Sequence, residues 1–127
     1  MDPTRIVLAG CWIALMLVYL LGDVIRIFAG DFTPGKMGAI AGAPWMWTVA
    51  AVVMLIPIAM ILVSLLVPAG PLVWISVGAS VFLVIFNLMG LPYPGFYDNL
   101  LIVVGFSVNA IIVWQALVWR PALVAPA

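Results

Sequence analysis

Residues 45–67 read WMWTVAAVVMLIPIAMILVSLLV and contain no charged side chain. A helix of about 20 mostly apolar residues spans the hydrocarbon core of a bilayer, so this stretch predicts a transmembrane helix. Three further stretches have the same character, at about 6–27, 72–91 and 97–119. The sequence therefore predicts four membrane spans in a single transmembrane domain that covers residues 1–127.

The composition points to the same class of protein. Of the 127 residues, 69% are hydrophobic and 6% are charged, whereas soluble domains are about 45–50% apolar and about 25% charged. The net charge is zero, so no basic surface is available for nucleic acid. The chain has no His, no Glu and one Cys, which excludes the usual zinc, haem and copper ligand sets. We therefore predict no catalytic residue, metal or cofactor, and no enzymatic activity.

Turns rich in proline and glycine separate the predicted spans. Residues 68–71 read PAGP and residues 92–95 read PYPG, while residues 30–44 form the longest loop. Short turns force neighbouring helices to run antiparallel. The predicted fold is all-α: an up-down-up-down integral membrane bundle of four transmembrane helices with both termini on one side, called side A, opposite side B. Thr33 and Pro34 predict the start of a short interfacial helix, and Pro121 predicts the end of the fourth helix.

Polar side chains inside the spans are the most informative feature for function, because one charge at the centre of a span costs roughly 2.5–3.5 kcal/mol on insertion scales. Tyr19, Asp23 and Arg26 share one face of the first span, and Asp98 and Asn109 share one face of the fourth. The candidate site residues all lie in the side B half or near the midplane: Tyr19, Asp23, Arg26, Asn87, Asp98, Asn99 and Asn109. Because polar groups need partners in lipid, we expect them to turn inward and form a polar pocket that opens to side B.

A purely structural interpretation of these residues is also open, and a bundle without a ligand is the simpler of the two. Asp23 and Arg26 would then form an interfacial salt bridge. Asn87 and Asn109 would join helices through hydrogen bonds worth about 0.6–2 kcal/mol each. This interpretation requires no ligand.

Two segments, WIALMLVYLLGDV at 12–24 and YDNLLIVVGFSVNAIIVWQALVWRP at 97–121, resemble a known family. They are similar to small bacterial four-span integral membrane proteins classed as a domain of unknown function. In that family a tyrosine lies one helical turn before an Asp-Val pair, and the last span ends in tryptophan and basic residues. The family often carries an acidic residue inside the last span, where this chain has Asn109. The resemblance implies the four-span fold and draws attention to Tyr19 and Asp23, but it brings no established activity.

Two functional hypotheses follow. The first is a binding or accessory module that holds a lipid or a small hydrophobic ligand, or docks against a larger membrane complex. The alternative is a small transporter or channel subunit that acts as an oligomer. Small multidrug exporters of this size carry a glutamate in the first span, and Asp23 would be its substitute as coupling residue. The expected partners are membrane lipids, a second copy of the chain or a larger membrane complex.

The number of positively charged residues is the same on both sides of the membrane, so this count alone does not fix the orientation. Arg5 and Arg120 lie on side A, whereas Arg26 and Lys36 lie on side B. If a partner neutralises Arg26, side A carries the excess of free positive charge. We therefore expect a multi-pass protein of the bacterial cytoplasmic membrane with both termini in the cytoplasm.

Overall fold

The computed structural model describes residues 2–31, 34–37, 40–89 and 95–124. Four long helices and two short strands make up most of this part of the chain, in the order α1 (Pro3–Phe28), β1 (Lys36–Met37), β2 (Ile40–Ala41), α2 (Pro44–Leu66), α3 (Ala69–Leu88) and α4 (Phe96–Val124). The two strands pair antiparallel in the loop between α1 and α2. The prediction of an all-α bundle of four helices is confirmed.

Each helix is long and apolar enough to cross a membrane. The candidate spans are Pro3–Phe28, Pro44–Leu66, Ala69–Leu88 and Phe96–Trp119, with mean hydropathies between 2.1 and 2.9. Large apolar side chains also cover much of the outer surface of the bundle. In water such an apolar surface would cause aggregation, whereas in a bilayer it can contact the lipid chains directly. These features indicate a multi-pass membrane protein.

The ends of α1 follow from local sequence chemistry. Asp2 caps the first turn, since its Oδ1 accepts a hydrogen bond from the amide of Thr4 at 2.9 Å, and Pro3 occupies the first helical position. At the other end Gly30 adopts a φ of 80°, a left-handed conformation that glycine accepts without steric cost. The amide of Asp31 then reaches back to the carbonyl of Arg26 at 3.1 Å, which satisfies a helix-terminal carbonyl.

Contacts between helix ends fix the arrangement of the bundle. α1 packs against α2 and α4, α3 packs against α4, and α2 touches α3 only sparingly. Arg26 near the end of α1 pairs with Asp98 at the start of α4, while Trp119 near the end of α4 bonds to Asp2 before α1. Arg5 bonds to carbonyls at the end of α2. Neighbouring helices are therefore antiparallel. We call the end with Asp2 and Trp119 end A and the opposite end B, matching predicted sides A and B.

Each helix presents a narrow buried stripe to the centre of the bundle. Buried positions recur every three or four residues, as at Leu8, Trp12 and Leu15 of α1, which is the spacing of one helix face. The half of the core nearest end A contains the buried apolar side chains Leu8, Leu72, Val73, Ile112 and Ala116.

Two local predictions are wrong. α4 continues past Pro121 to Val124. Proline removes only one backbone donor, so the amides after it can still reach carbonyls one turn earlier. The predicted interfacial helix is replaced by a turn at 34–35 followed by β1 and β2. Gly35 has a φ of 80°, which lies outside the right-handed helical region. Thr33 lies outside the described residues.

Candidate functional site

A charge cluster joins α1 to α4 at end B. The Nε and Nη2 atoms of Arg26 donate to Oδ2 and Oδ1 of Asp98, both at 3.0 Å. The Asp98 side chain is only 4% exposed, against 31% for Arg26. Asp98 lies in the first turn of α4, where the helix dipole also favours a negative charge. A bidentate, charge-assisted pair of this kind is geometrically specific and strong.

Asp23 lies at the rim of this cluster rather than inside it. Its Oδ1 is 3.5 Å from Nη1 of Arg26, and its side chain is 54% exposed. The i, i+3 spacing of these two residues on α1 brings the charges together. The guanidinium nevertheless makes its shorter contacts with Asp98.

Tyr19 and Asn87 connect opposite helices one layer deeper. The Nδ2 of Asn87 donates to the Tyr19 hydroxyl at 3.0 Å and to the Leu83 carbonyl at 2.8 Å. The Tyr19 ring lies against Gly105, where an added Cβ would be 3.4 Å from its Cε1 atom. An added Cβ would thus only reach van der Waals contact, and the small residue at this position lies where α1 and α4 pack against each other. The Tyr19 hydroxyl also lies beside the Asn109 side chain.

Asn109 forms the deepest polar contact, with Ser80 of α3. The Ser80 hydroxyl donates to Oδ1 of Asn109 at 2.7 Å and lies 3.2 Å from the backbone carbonyl of the same residue. The Nδ2 of Asn109 donates to the Gly105 carbonyl at 2.9 Å. Both Ser80 and Asn109 are buried, with 0% and 1% exposure. This pair therefore ties α3 to α4 in the middle of the bundle without leaving the amide unsatisfied.

Six of the seven predicted site residues thus fall into two connected groups. Asp23, Arg26 and Asp98 form the charge cluster. Tyr19, Asn87 and Asn109 are joined through the Tyr19 side chain. The Nδ2 of Asn99 bonds to the Gly95 carbonyl at the start of its own helix at 3.2 Å. Residues 90–94 at end B lie outside the described part of the chain, so the opening of a pocket towards side B stays a prediction.

Sequence reasoning missed Ser80 as the partner of Asn109. The signal was present, because Ser76, Ser80 and Asn87 share one face of α3 at i, i+4 and i+11. Which neighbouring helix that face would meet could not be read from the spacing.

A second polar group at end A was also missed. The Nη1 atom of Arg5 donates to the carbonyls of Ser64 and Val67 at 3.2 and 2.6 Å. The Arg5 guanidinium lies over the Trp119 ring, 5.7 Å from the centroid. The Trp119 indole N–H donates to Oδ2 of Asp2 at 3.0 Å. The backbone amide of Thr4, followed by smaller contributions including that of Trp119, holds the pKa of the Asp2 carboxyl below its ordinary value. These contacts hold the start of α1 against the ends of α2 and α4 at end A.

A groove of about 480 Å³ lies on the flank of the bundle between α3 and α4. Its walls are apolar and include Val81, Ile85 and Trp114, whereas Ser80 and Asn109 form its floor. The groove is therefore an apolar recess with a buried polar pair at its base. It faces the side of the bundle and not the predicted opening at side B.

No metal site can be assembled from three or more His, Cys, Asp or Glu residues in the described part of the chain. No family model, curated protein or solved structure matches this chain.

Proposed function

We propose that this chain is a membrane-embedded binding module that holds a lipid chain or another small hydrophobic molecule between α3 and α4. The observation that carries the proposal is the flank groove with its Ser80–Asn109 floor. Its volume of about 480 Å³ falls within the range of roughly 300–1,000 Å³ that is usual for small-molecule sites.

The polar groups behind the groove support this proposal by making its base rigid. Ser80 and Asn109 are held by three hydrogen bonds that include the Gly105 carbonyl. Tyr19 and Asn87 brace the same region from α1 and α3. A site whose supporting side chains are locked by neighbours keeps its shape, and a preformed shape lowers the ordering cost of binding.

The test uses a side chain that fills the groove. Ala110 lines the groove and is exposed, so Ala110→Phe places a ring where the ligand would lie. Ala14→Phe is the matched control, because Ala14 is also exposed but belongs to α1, which makes no backbone contact with α3. Both proteins are purified in a mild detergent, and the retained molecules are extracted and quantified by mass spectrometry.

We expect the unchanged chain and Ala14→Phe to retain the same molecule in the same amount, and Ala110→Phe to lose it. Equal retention by the two phenylalanine variants would show that the groove does not hold the molecule. A wild-type protein that retains nothing above the level of bulk lipid would equally refute the proposal.

We further propose that both termini lie in the cytoplasm of a bacterial cell. Arg26 is paired with Asp98 and Asp23, whereas Arg5 makes no salt bridge within the described residues and bonds to neutral carbonyls. With Arg26 paired, end A has Arg5 and Arg120 against Lys36 at end B, and an excess of positive charge near span ends favours the cytoplasmic side. Fusion of a fluorescent protein that folds only in the cytoplasm to the C-terminus should give fluorescent cells. Activity of a fused periplasmic phosphatase would place end A outside.

A further inference from the structure

The part of α2 nearest end B packs less closely than the corresponding parts of the other helices. In the nine residues nearest end B, each of the other three helices has at least one buried residue: Gly22 in α1, Ser80 and Leu83 in α3, and Asp98 in α4. Residues 44–52, which we call the α2 arm, contain no buried residue. Membrane helices are held together largely by close packing, so the α2 arm has the weakest attachment to the bundle at this end.

The α2 arm also makes no hydrogen bond or ion pair with another helix within the described residues. Arg26 and Asp98 join α1 to α4 near end B, and Tyr19 and Asn87 join α1 to α3. In the α2 arm the hydroxyl of Thr48 bonds within its own helix, to a carbonyl one turn earlier at 3.4 Å. Polar contacts therefore connect the end B parts of α1, α3 and α4 but leave the α2 arm out.

The other half of α2, nearest end A, is firmly attached. Pro57, Met60 and Ser64 are buried there, and Nη1 of Arg5 donates to the carbonyls of Ser64 and Val67. α2 is therefore fixed to the bundle at end A and only loosely held at end B.

Pro57 lies between these two parts of α2. Proline has no amide hydrogen, and its ring crowds the carbonyl four residues earlier, which is that of Val53. One helical hydrogen bond is thus missing where the attached half of α2 meets the part that leads to the α2 arm. Helices bend most readily at such positions, so Pro57 is the natural hinge of α2.

The neighbouring helix α3 does not hold the α2 arm in place. Only residues 67 and 68 separate α2 from α3, yet the two helices touch only sparingly. Consecutive helices joined by a short turn normally pack along their length. Because α2 packs on α1 instead, a movement of the α2 arm can widen the seam between α2 and α3 without breaking an extensive interface.

The register of α1 against α2 shows what lies at the level of the α2 arm. Arg5 of α1 bonds to the carbonyls of Ser64 and Val67 of α2. Tyr19 lies fourteen residues beyond Arg5 along α1, and residues 50–53 lie the same number before Ser64 and Val67 along α2. Since the two helices are antiparallel with the same rise per residue, Tyr19 lies level with the end of the α2 arm.

We propose that the α2 arm is a gate that swings about Pro57 and opens the seam between α2 and α3 to lipid, at the level of the hydrogen-bonded pair Tyr19 and Asn87. The open seam is a lateral path from the bilayer to this pair in the interior of the bundle. The flank groove is a separate feature, because its walls come from α3 and α4. The gate therefore does not depend on the binding function proposed for that groove.

Pulsed electron paramagnetic resonance of the full chain in lipid nanodiscs tests the proposal. Two pairs of spin labels are attached to cysteines at exposed positions, in a Cys11→Ala background. Val49 and Phe86 span the seam between α2 and α3 near end B, whereas Leu62 and Ile75 span the same seam near end A. We expect the distance distribution of the pair at 49 and 86 to be roughly twice as broad as that of the pair at 62 and 75, because only the first pair includes the part of α2 beyond the proline.

Pro57→Ala restores the missing amide and should narrow the distribution at 49 and 86 to the width found at 62 and 75. Pro44→Ala is the matched control, since Pro44 is exposed and occupies the first helical position, where proline removes no helical hydrogen bond; this change should leave both distributions as in wild type. Equal widths for the two pairs in the wild-type chain would overturn the gate, and this comparison decides even if Pro57→Ala does not fold. A folded Pro57→Ala variant that keeps the broad distribution would show that Pro57 is not the hinge.

Discussion

Replacement of Asp98 with asparagine should destabilise the bundle far more than the same replacement of Asp23. Asparagine has nearly the same shape as aspartate, so packing is preserved and only the charge is lost. In the native chain the Asp98 carboxylate receives two hydrogen bonds of 3.0 Å from Arg26. The variant leaves the guanidinium without its buried counter-charge.

The magnitude can be estimated from the burial of the two partners. Removal of one member of a fully buried ion pair costs about 3–5 kcal/mol. Asp98 is 4% exposed, but Arg26 is 31% exposed and keeps Asp23 at 3.5 Å, so part of its charge stays solvated or paired. We therefore expect Asp98→Asn to lower the free energy of unfolding by about 2–3 kcal/mol. Asp23→Asn should cost less than about 1 kcal/mol, because exposed pairs contribute little.

The assay is reversible unfolding in mixed micelles of a mild detergent and sodium dodecyl sulfate, followed by circular dichroism. A double-mutant cycle with Arg26→Gln isolates the energy that couples Arg26 to Asp98. Asp98→Asn and Asp23→Asn variants of equal stability, or a coupling energy near zero, would refute the assignment of Asp98 as the main partner of Arg26.

Three further predictions concern other parts of the bundle. Gly105→Ala should be neutral or stabilising by up to about 1 kcal/mol, because an added Cβ would lie 3.4 Å from Tyr19 and 3.7 Å from Leu15, which are ordinary van der Waals distances, and alanine is the better helix former. A loss of more than about 1 kcal/mol in mixed-micelle unfolding would contradict this packing. Ser80→Ala should cost about 0.6–2 kcal/mol through loss of its bond to Asn109, and no loss in the same assay would count against that bond. The pKa of the Asp2 carboxyl is lower in the folded chain than its ordinary value, so the Asp2 carboxylate stabilises the bundle at pH values above that ordinary pKa. This stabilisation should disappear as the pH falls through the folded pKa. An Asp2→Ala variant with the same acid unfolding profile as wild type would argue against this capping role.

The fold could be predicted from the sequence because the bilayer leaves few alternatives. Backbone groups inside lipid must be bonded within the chain, so long apolar stretches become helices. Short turns such as 68–71 then force antiparallel neighbours. Two irregular features could not be predicted in this way. Gly35 directs the chain into a turn where a helix was predicted, and Pro121 removes too few hydrogen bonds to end α4.

The candidate site was only partly predictable, for a related reason. The cost of polar groups in lipid identified Asp98 and Asn109 as residues that need partners. The identity of those partners depends on the order of helices around the bundle and on the rotation of each helix. Spacing along α1 favoured Asp23 as the partner of Arg26, whereas the packing of α1 on α4 provides the shorter contact with Asp98. The flank groove likewise arises only when α3 and α4 are placed side by side.

Photolabelling in a native membrane tests most directly whether α4 faces lipid on one side and protein on the other. The label is a lipid that carries a diazirine on its acyl chain. Ile111 and Ile112 are adjacent and chemically identical, yet their exposures are 43% and 0%. After illumination, peptide mass spectrometry should find carbene adducts on Ile111 and on exposed Trp114, with Ile112 unmodified. Equal modification of Ile111 and Ile112, or an unlabelled α4, would contradict a bundle that is surrounded by lipid and keeps its polar residues inside.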